Sequence, residues 1–139
     1  MGREFGEFVR DAKVNMLGVV PSMVKHWKNS KALDGIDWTN IHNFSSTGES
    51  SNAEDMFWLM AKAGYKPVIE YCGGTEIGGG YLSGSMLQEA APSFFTTPCM
   101  GLNLYILDEE GHETKQGEEL QSFIKTALKG ILEEDTITG

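Results

Sequence analysis

Between Phe5 and Cys72 the spacing of apolar residues switches repeatedly between a helical period and a strand period. No other feature constrains the fold as much. "EFGEFVRDAKV" reads as a short amphipathic helix with Phe5, Phe8 and Ala12 on one side. "NMLGVV" reads as a buried strand closed by Pro21, a residue suited to the first position of the next helix, "PSMVKHWKNS". Met23, Val24 and Trp27 share a face of that helix. "LDGIDWTN" reads as a turn and "IHNFSS" as a second strand. Asn52 or Ser51 is placed to cap a third helix, whose first turn holds Glu54 and Asp55 on the side the helix dipole favours. Met56, Leu59, Met60 and Ala63 form its apolar face and Gly64 stops it. "KPVIEYC" reads as a third strand of the fully buried type. Helix, strand, helix, strand, helix, strand predicts an α/β fold. The expected architecture is a three-layer, largely parallel sheet flanked by helices.

From Gly73 onward the pattern changes. "GGTEIGGGYLSGS" reads as loop, and "GLNLYILDEEG" as a strand running into a β-hairpin-like segment near 98–112. Leu120, Phe123, Ile124, Ala127, Leu128 and Ile131 fall at helical spacing. The 139 residues fit one domain. Charge is uneven: residues 1–33 carry six basic and three acidic groups, residues 108–135 nine acidic and three basic. The acidic end is expected to be a solvated face.

A net charge of −9 argues against a nucleic-acid partner. Cys72 and Cys99 form no CxxC pair, which points to a reduced, intracellular protein. No apolar run reaches the ~18 residues of a membrane span. "MGREFG" has Gly6 where myristoylation wants Ser or Thr, and "ITG" is not a peroxisomal address, so a cytoplasmic setting is the default expectation.

Ligands of doubly wound sheets bind beyond the carboxyl ends of the strands. Two loops leave those ends: "SSTGESS" (45–51) and "CGGTEIGGG" (72–80). If their strands are neighbours, the loops face each other across one crevice. Gly48, Gly73 and Gly74 would let a flat or charged ligand approach the backbone. Thr75 could donate to a phosphate oxygen, and Glu76 could hold a hard cation such as Mg²⁺. Neither loop is GxxxxGK[ST] or GxGxxG. Spacing alone therefore fits equally a set of tight turns with a solvated Glu76. His26, His42 and His112 lack metal-ligand spacing, Ser83 and Ser85 make no GxSxG elbow, and Cys72 has no neighbouring base to activate it.

Taken together, "STGESS", then "EYCGGTEIGG", then "FFTTPCMGLNLYILDEEGHE" resemble the central part of adenylate-forming enzymes. These are the AMP-dependent synthetases and ligases, and the likeness is to acetyl-CoA-synthetase-like acyl-activating enzymes, plant ones included. It covers roughly residues 5–113, and "LGVVPSMVKHW" also fits the family's strand and helix ahead of the Gly-Glu loop. The resemblance implies part of the large N-terminal domain of an acyl-CoA synthetase, with 1–113 a partial AMP-binding domain and 114–139 a divergent, helical acidic tail. It implies ATP, Mg²⁺ and CoA, with a small-molecule carboxylate as substrate. By position, Gly48, Glu49 and Ser50 would line the adenine edge, with Glu70 near the adenine amino group. Tyr71 and Cys72 fall in the same nucleotide-binding stretch. Thr75 would bind the α-phosphate and Glu76 the Mg²⁺, while Gly73, Gly74 and Gly78 border the acyl pocket.

Two departures stand out. The family's adenine-stacking aromatic sits three residues before the Thr, where this chain has Cys72, with Tyr71 one place earlier. Acetate-specific members carry a Trp where this chain has Gly73, which implies an acyl group larger than acetate. The family's Lys-bearing phosphate loop, ribose-binding Asp and lid Lys have no counterpart here. The expectation is thus a fragment of an ATP-dependent carboxylic acid–CoA ligase, inactive as an isolated chain. A truncated or alternative product acting as a non-catalytic nucleotide-binding or interaction fragment is the alternative. An unrelated small doubly wound domain is a third reading.

Overall fold

The computed structural model describes residues 2–105, 107–108 and 110–113. The chain divides into two units, Met1–Leu102 and Asn103–Gly139.

The first unit opens with α1 (Arg3–Asp11), β1 (Met16–Val19), α2 (Pro21–Ser30), β2 (Asn43–Ser46), α3 (Ala53–Lys62) and β3 (Val68–Glu70). The three strands form a parallel sheet in the order β1-β2-β3. This is the α/β arrangement that the alternating periods predict. Leu17, Phe44 and Val68 share a row of that sheet and are buried against Val24 and Trp27 of α2 and Met56 and Leu59 of α3. On the opposite face, Ile69 Cγ2 lies 3.5 Å from where a Cβ on Gly84 would sit, so the chain after Ser83 packs there.

The caps follow the sequence. Asn52 Oδ1 accepts from the amides of Glu54 and Asp55, and Gly64 takes a left-handed φ of +66° beyond α3. Trp27 lies at the centre of the core, stacked on Phe5 at 5.6 Å and edge-on to Trp38 at 5.8 Å.

Three details correct or extend the sequence reading. The buried face of α1 is Gly6 and Val9, while Phe8 and Ala12 are exposed. A Cβ on Gly6 would stand 2.6 Å from Leu33 Cδ2, and Gly6 O accepts from Trp38 Nε1, so close approach at this glycine sets the helix rotation. The stretch from Leu33 to Asn40 contains the expected turns, and with Ile41 it also joins the core, burying Leu33, Ile36, Trp38 and Ile41. The third strand stops at Glu70, with Tyr71 exposed.

The glycine-rich stretch is also a β-structure rather than a loop. Cys72–Gly74 (β4) pairs antiparallel with Gly79–Ser83 (β5), and β5 pairs antiparallel with Thr97–Pro98 (β6). Glycines here lack the alternation that marks a strand, but two bare backbones can pack closely.

In the second unit, an antiparallel bridge joins Leu107 to Glu113. Asp108 N donates to His112 O at 2.9 Å, and Gly111 closes the turn at φ +86°. Amides of His112 and Glu110 donate to Asp108 Oδ1, and the His112 bond above all holds that carboxyl below its usual range. Among the described residues the hairpin-like feature is thus the Leu107–Glu113 bridge and its turn, and residues 102–105 form no strand. The expected helix over 114–139 lies outside the described residues. Among the described residues, no helix is long and apolar enough to cross a membrane.

Candidate functional site

Parallel strands β2 and β3 end side by side, and the ladder carries one step further because Tyr71 N donates to Ser46 O at 3.0 Å. The two loops that leave these ends therefore start as neighbours. After Ser46, Thr47 N donates to Val19 O at 3.4 Å and Gly48 turns the chain at φ +88°. A Cβ at Gly48 would lie 3.6 Å from Val20 Cγ1. After Glu70, the chain leaves the parallel sheet and enters β4, with a register shift between Cys72 and Gly73. Thr75–Gly78 forms the tip of the hairpin, closed by Gly78 N donating to Thr75 O at 3.2 Å, with Gly78 at φ +66°.

Between these loops lies a crevice of about 490 Å³, a size suited to a small-molecule ligand. Thr47 and Gly48 form one wall, and Tyr71, Gly73, Gly74, Thr75 and Gly78 to Gly80 form the other. Tyr71 is the aromatic of this wall, with its Cδ2 3.5 Å from where a Cβ on Gly80 would stand. A Cβ at Gly80 would only touch that ring, at an ordinary van der Waals distance. Gly73 has a different constraint. A Cβ there would meet Gly79 O at 2.3 Å and Gly80 Cα at 2.7 Å, so it is bare because β5 crosses it closely.

The wall contains no lysine, arginine or histidine. Among the described residues, no three His, Cys, Asp or Glu side chains converge as a metal site. Glu76 stands exposed at the hairpin tip, its Oε2 folded back to 2.9 Å from the Cβ position of Gly74.

No protein-family profile matches the chain. Over 108 residues, 78% of this chain, it is 56% identical to the hexanoyl-CoA synthase of Cannabis sativa. Over 112 residues, 81% of this chain, it is 54% identical to a probable peroxisomal acyl-activating enzyme 17 of Arabidopsis thaliana.

The chain belongs to the acyl-activating branch of the adenylate-forming family.

It spans 15% and 16% of the length of these two relatives. The fold agrees with that of the family's CoA ligases. The anthranilate CoA ligase AuaEII, solved with anthranoyl-AMP, superposes on 83% of this chain and 22% of its own at a TM-score of 0.73, with 19% identity.

Of the positions that the family motifs mark, Gly48, Tyr71, Gly73, Gly74, Thr75 and Gly78 line the crevice together. Glu49, Ser50, Glu70, Cys72 and Glu76 are not part of its lining. Glu70 is buried, in register with Ser46. Cys72 Sγ and Tyr81 Oη share a hydrogen bond at 2.9 Å. That bond, with some burial, pushes the Tyr81 phenol up to about 12. The family's aromatic position is therefore taken up in packing the second sheet, and Tyr71 presents the ring to the crevice. Thr47, Gly79 and Gly80, which the sequence places in the two candidate loops, also line the crevice; strand pairing brings the two glycines there.

Proposed function

We propose that residues 1–113 belong to a partial AMP-binding domain of an ATP-dependent carboxylic acid–CoA ligase. What carries the reading is the meeting of the Thr47–Gly48 loop with the Thr75-bearing hairpin on one crevice, in a chain 56% identical to a hexanoyl-CoA synthase. In the reaction, a carboxylate oxygen attacks the α-phosphorus of ATP and pyrophosphate leaves. The thiol of CoA then displaces AMP from the acyl-adenylate. Thr75 donates its hydroxyl to the α-phosphate, and Tyr71 offers its ring to adenine beside the bare backbone of Gly48. Glu49, Ser50, Glu70 and Cys72 belong to the same nucleotide-binding stretches by position, outside the lining itself. Gly73, Gly74 and Gly78 border the acyl group, which we infer is larger than acetate.

Mg²⁺ fits Glu76. The carboxylate is exposed and, among the described residues, pairs with no cation. Mg²⁺ is commonly held by one or two carboxylates plus substrate phosphates. When bound, the ion would neutralise phosphate charge.

A second reading, a nucleotide-binding fragment without catalysis, is favoured by the absence of a cationic side chain in the wall. The setting is inferred to be intracellular; the Arabidopsis relative is named peroxisomal.

Titrating the ¹⁵N-labelled chain with an acyl-sulfamoyl adenosine, a stable acyl-adenylate mimic, tests the site. Amide shifts are expected at Thr47, Gly48, Tyr71 and Gly73 to Gly80. No shifts, or shifts centred on α2 and α3, would contradict the assignment.

A further inference from the structure

Helix α2 begins at Pro21, and its N-cap residue, Val20, has no side-chain oxygen to accept from the first turn. The acceptor comes from 27 residues away. Ser22 N donates to Glu49 Oε2 at 2.8 Å, and Ser22 Oγ donates to Glu49 Oε1 at 2.9 Å. Both carboxylate oxygens are thus held by one residue, at the helix end whose dipole favours negative charge. The preceding residues dock on the same junction: Thr47 N reaches Val19 O, and Gly48 passes over Val20 Cγ1. Thr47 and Gly48 line the crevice, while Ser22 and Glu49 do not.

We propose that Ser22 is a positioning residue for the crevice. Through two hydrogen bonds to Glu49 it fixes the Thr47–Gly48 wall at its distance from Tyr71 and the glycine hairpin. Glu49 then acts as a tether for the loop rather than as a ligand-contacting group. The consequence for a bound acyl-adenylate rests on the function proposed above; the tether itself does not.

The test is amide hydrogen exchange on the 139-residue chain, paired with affinity for the acyl-sulfamoyl adenosine. Hydrogen bonds to charged groups are among the stronger ones, and solvent competes at this exposed pair. Ser22→Ala is therefore expected to speed exchange of the Thr47 amide about fivefold. Glu49→Ala should do at least as much, and the double variant no more than Glu49→Ala alone. Ser22→Thr, which keeps both donors, should exchange like the parent. Amides of Leu59 and Met60 in α3 should be unaffected in every variant.

Unchanged Thr47 exchange in Ser22→Ala, faster exchange spread through α3, or failure of Ser22→Thr to restore protection would each overturn the tether. In the affinity arm, Ser22→Ala should weaken binding by a similar factor and Ser22→Thr should restore it. Faster exchange with unchanged affinity would overturn the positioning role. A parent chain that binds no analogue would count against the nucleotide reading, and the exchange arm would then decide the tether alone.

Discussion

Ser46 and Glu70 stand opposite each other in the parallel register of β2 and β3. Both are buried, and neither Ser46 Oγ nor Glu70 Oε1 has a hydrogen-bond partner among the described residues. A buried carboxylate oxygen without a partner costs stability. Proteins keep such costs where function needs the group. Replacing Glu70 by Gln keeps the shape and removes the charge. We expect Glu70→Gln to stabilise the chain by about 1–2 kcal/mol. The check is a urea midpoint that rises at constant m-value; a fall would mean that the charge is compensated in place.

Gly73 and Gly74 are neighbours with unequal tolerance. A Cβ at Gly73 meets the backbone of β5, whereas the nearest atom to a Cβ at Gly74 is the end of the Glu76 side chain. Backbone cannot give way cheaply, and a flexible carboxylate can. Gly73→Ala is expected to cost about 2–3 kcal/mol and Gly74→Ala less than about 1 kcal/mol. Chemical denaturation of both variants checks the order. Equal losses would show that β4 and β5 do not approach this closely.

Tyr81 should titrate late. The hydrogen bond with the Cys72 sulfur, aided by partial burial, favours the neutral phenol and its proton. Its loss is therefore opposed, up to about 12. A phenol raised in the folded state holds its proton longer there than in the unfolded chain. Its contribution to stability is intact below the ordinary phenol value of about 10, and is lost as pH rises through the folded value near 12. Difference absorbance of the phenolate should show one tyrosine titrating near that value, and Cys72→Ala should return it towards the ordinary range. An unchanged titration in Cys72→Ala would contradict the pairing.

Much of this was legible in the residues. Val24 and Trp27 on α2, Met56 and Leu59 on α3, the Asn52 cap and the Gly64 stop follow from helical spacing and turn chemistry. The facing of the two loops follows from the rule for strand ends. Other features depend on contacts distant in sequence. Leu33, Ile36, Trp38 and Ile41 show no period because an irregular segment, not an element, buries them. The rotation of α1 is set by Gly6 against Leu33, which no spacing in α1 encodes. The hairpin from Cys72 to Ser83 carries too many glycines to show alternation. Glu49 reads as a ligand-facing acid from its motif, and its bond to Ser22 is visible only once β1 and β2 are paired.

The wall of the crevice supplies no cationic side chain. Phosphoryl chemistry depends on neutralising charge on the transferring group. The isolated chain is therefore expected to give no carboxylate-dependent ATP–pyrophosphate exchange. Clear exchange above a no-carboxylate control would overturn this expectation.

The most direct test supplies the missing surroundings. Residues 5–113 of this chain would replace the matching stretch of the Cannabis hexanoyl-CoA synthase, and ATP–pyrophosphate exchange with hexanoate would be measured. The account predicts that the chimera exchanges, and that Thr75→Ala and Glu76→Ala within the grafted segment each lower the rate by about 100-fold or more. A well-folded chimera without exchange, or one whose exchange survives both substitutions, would contradict the assignment of this crevice to the acyl-adenylate.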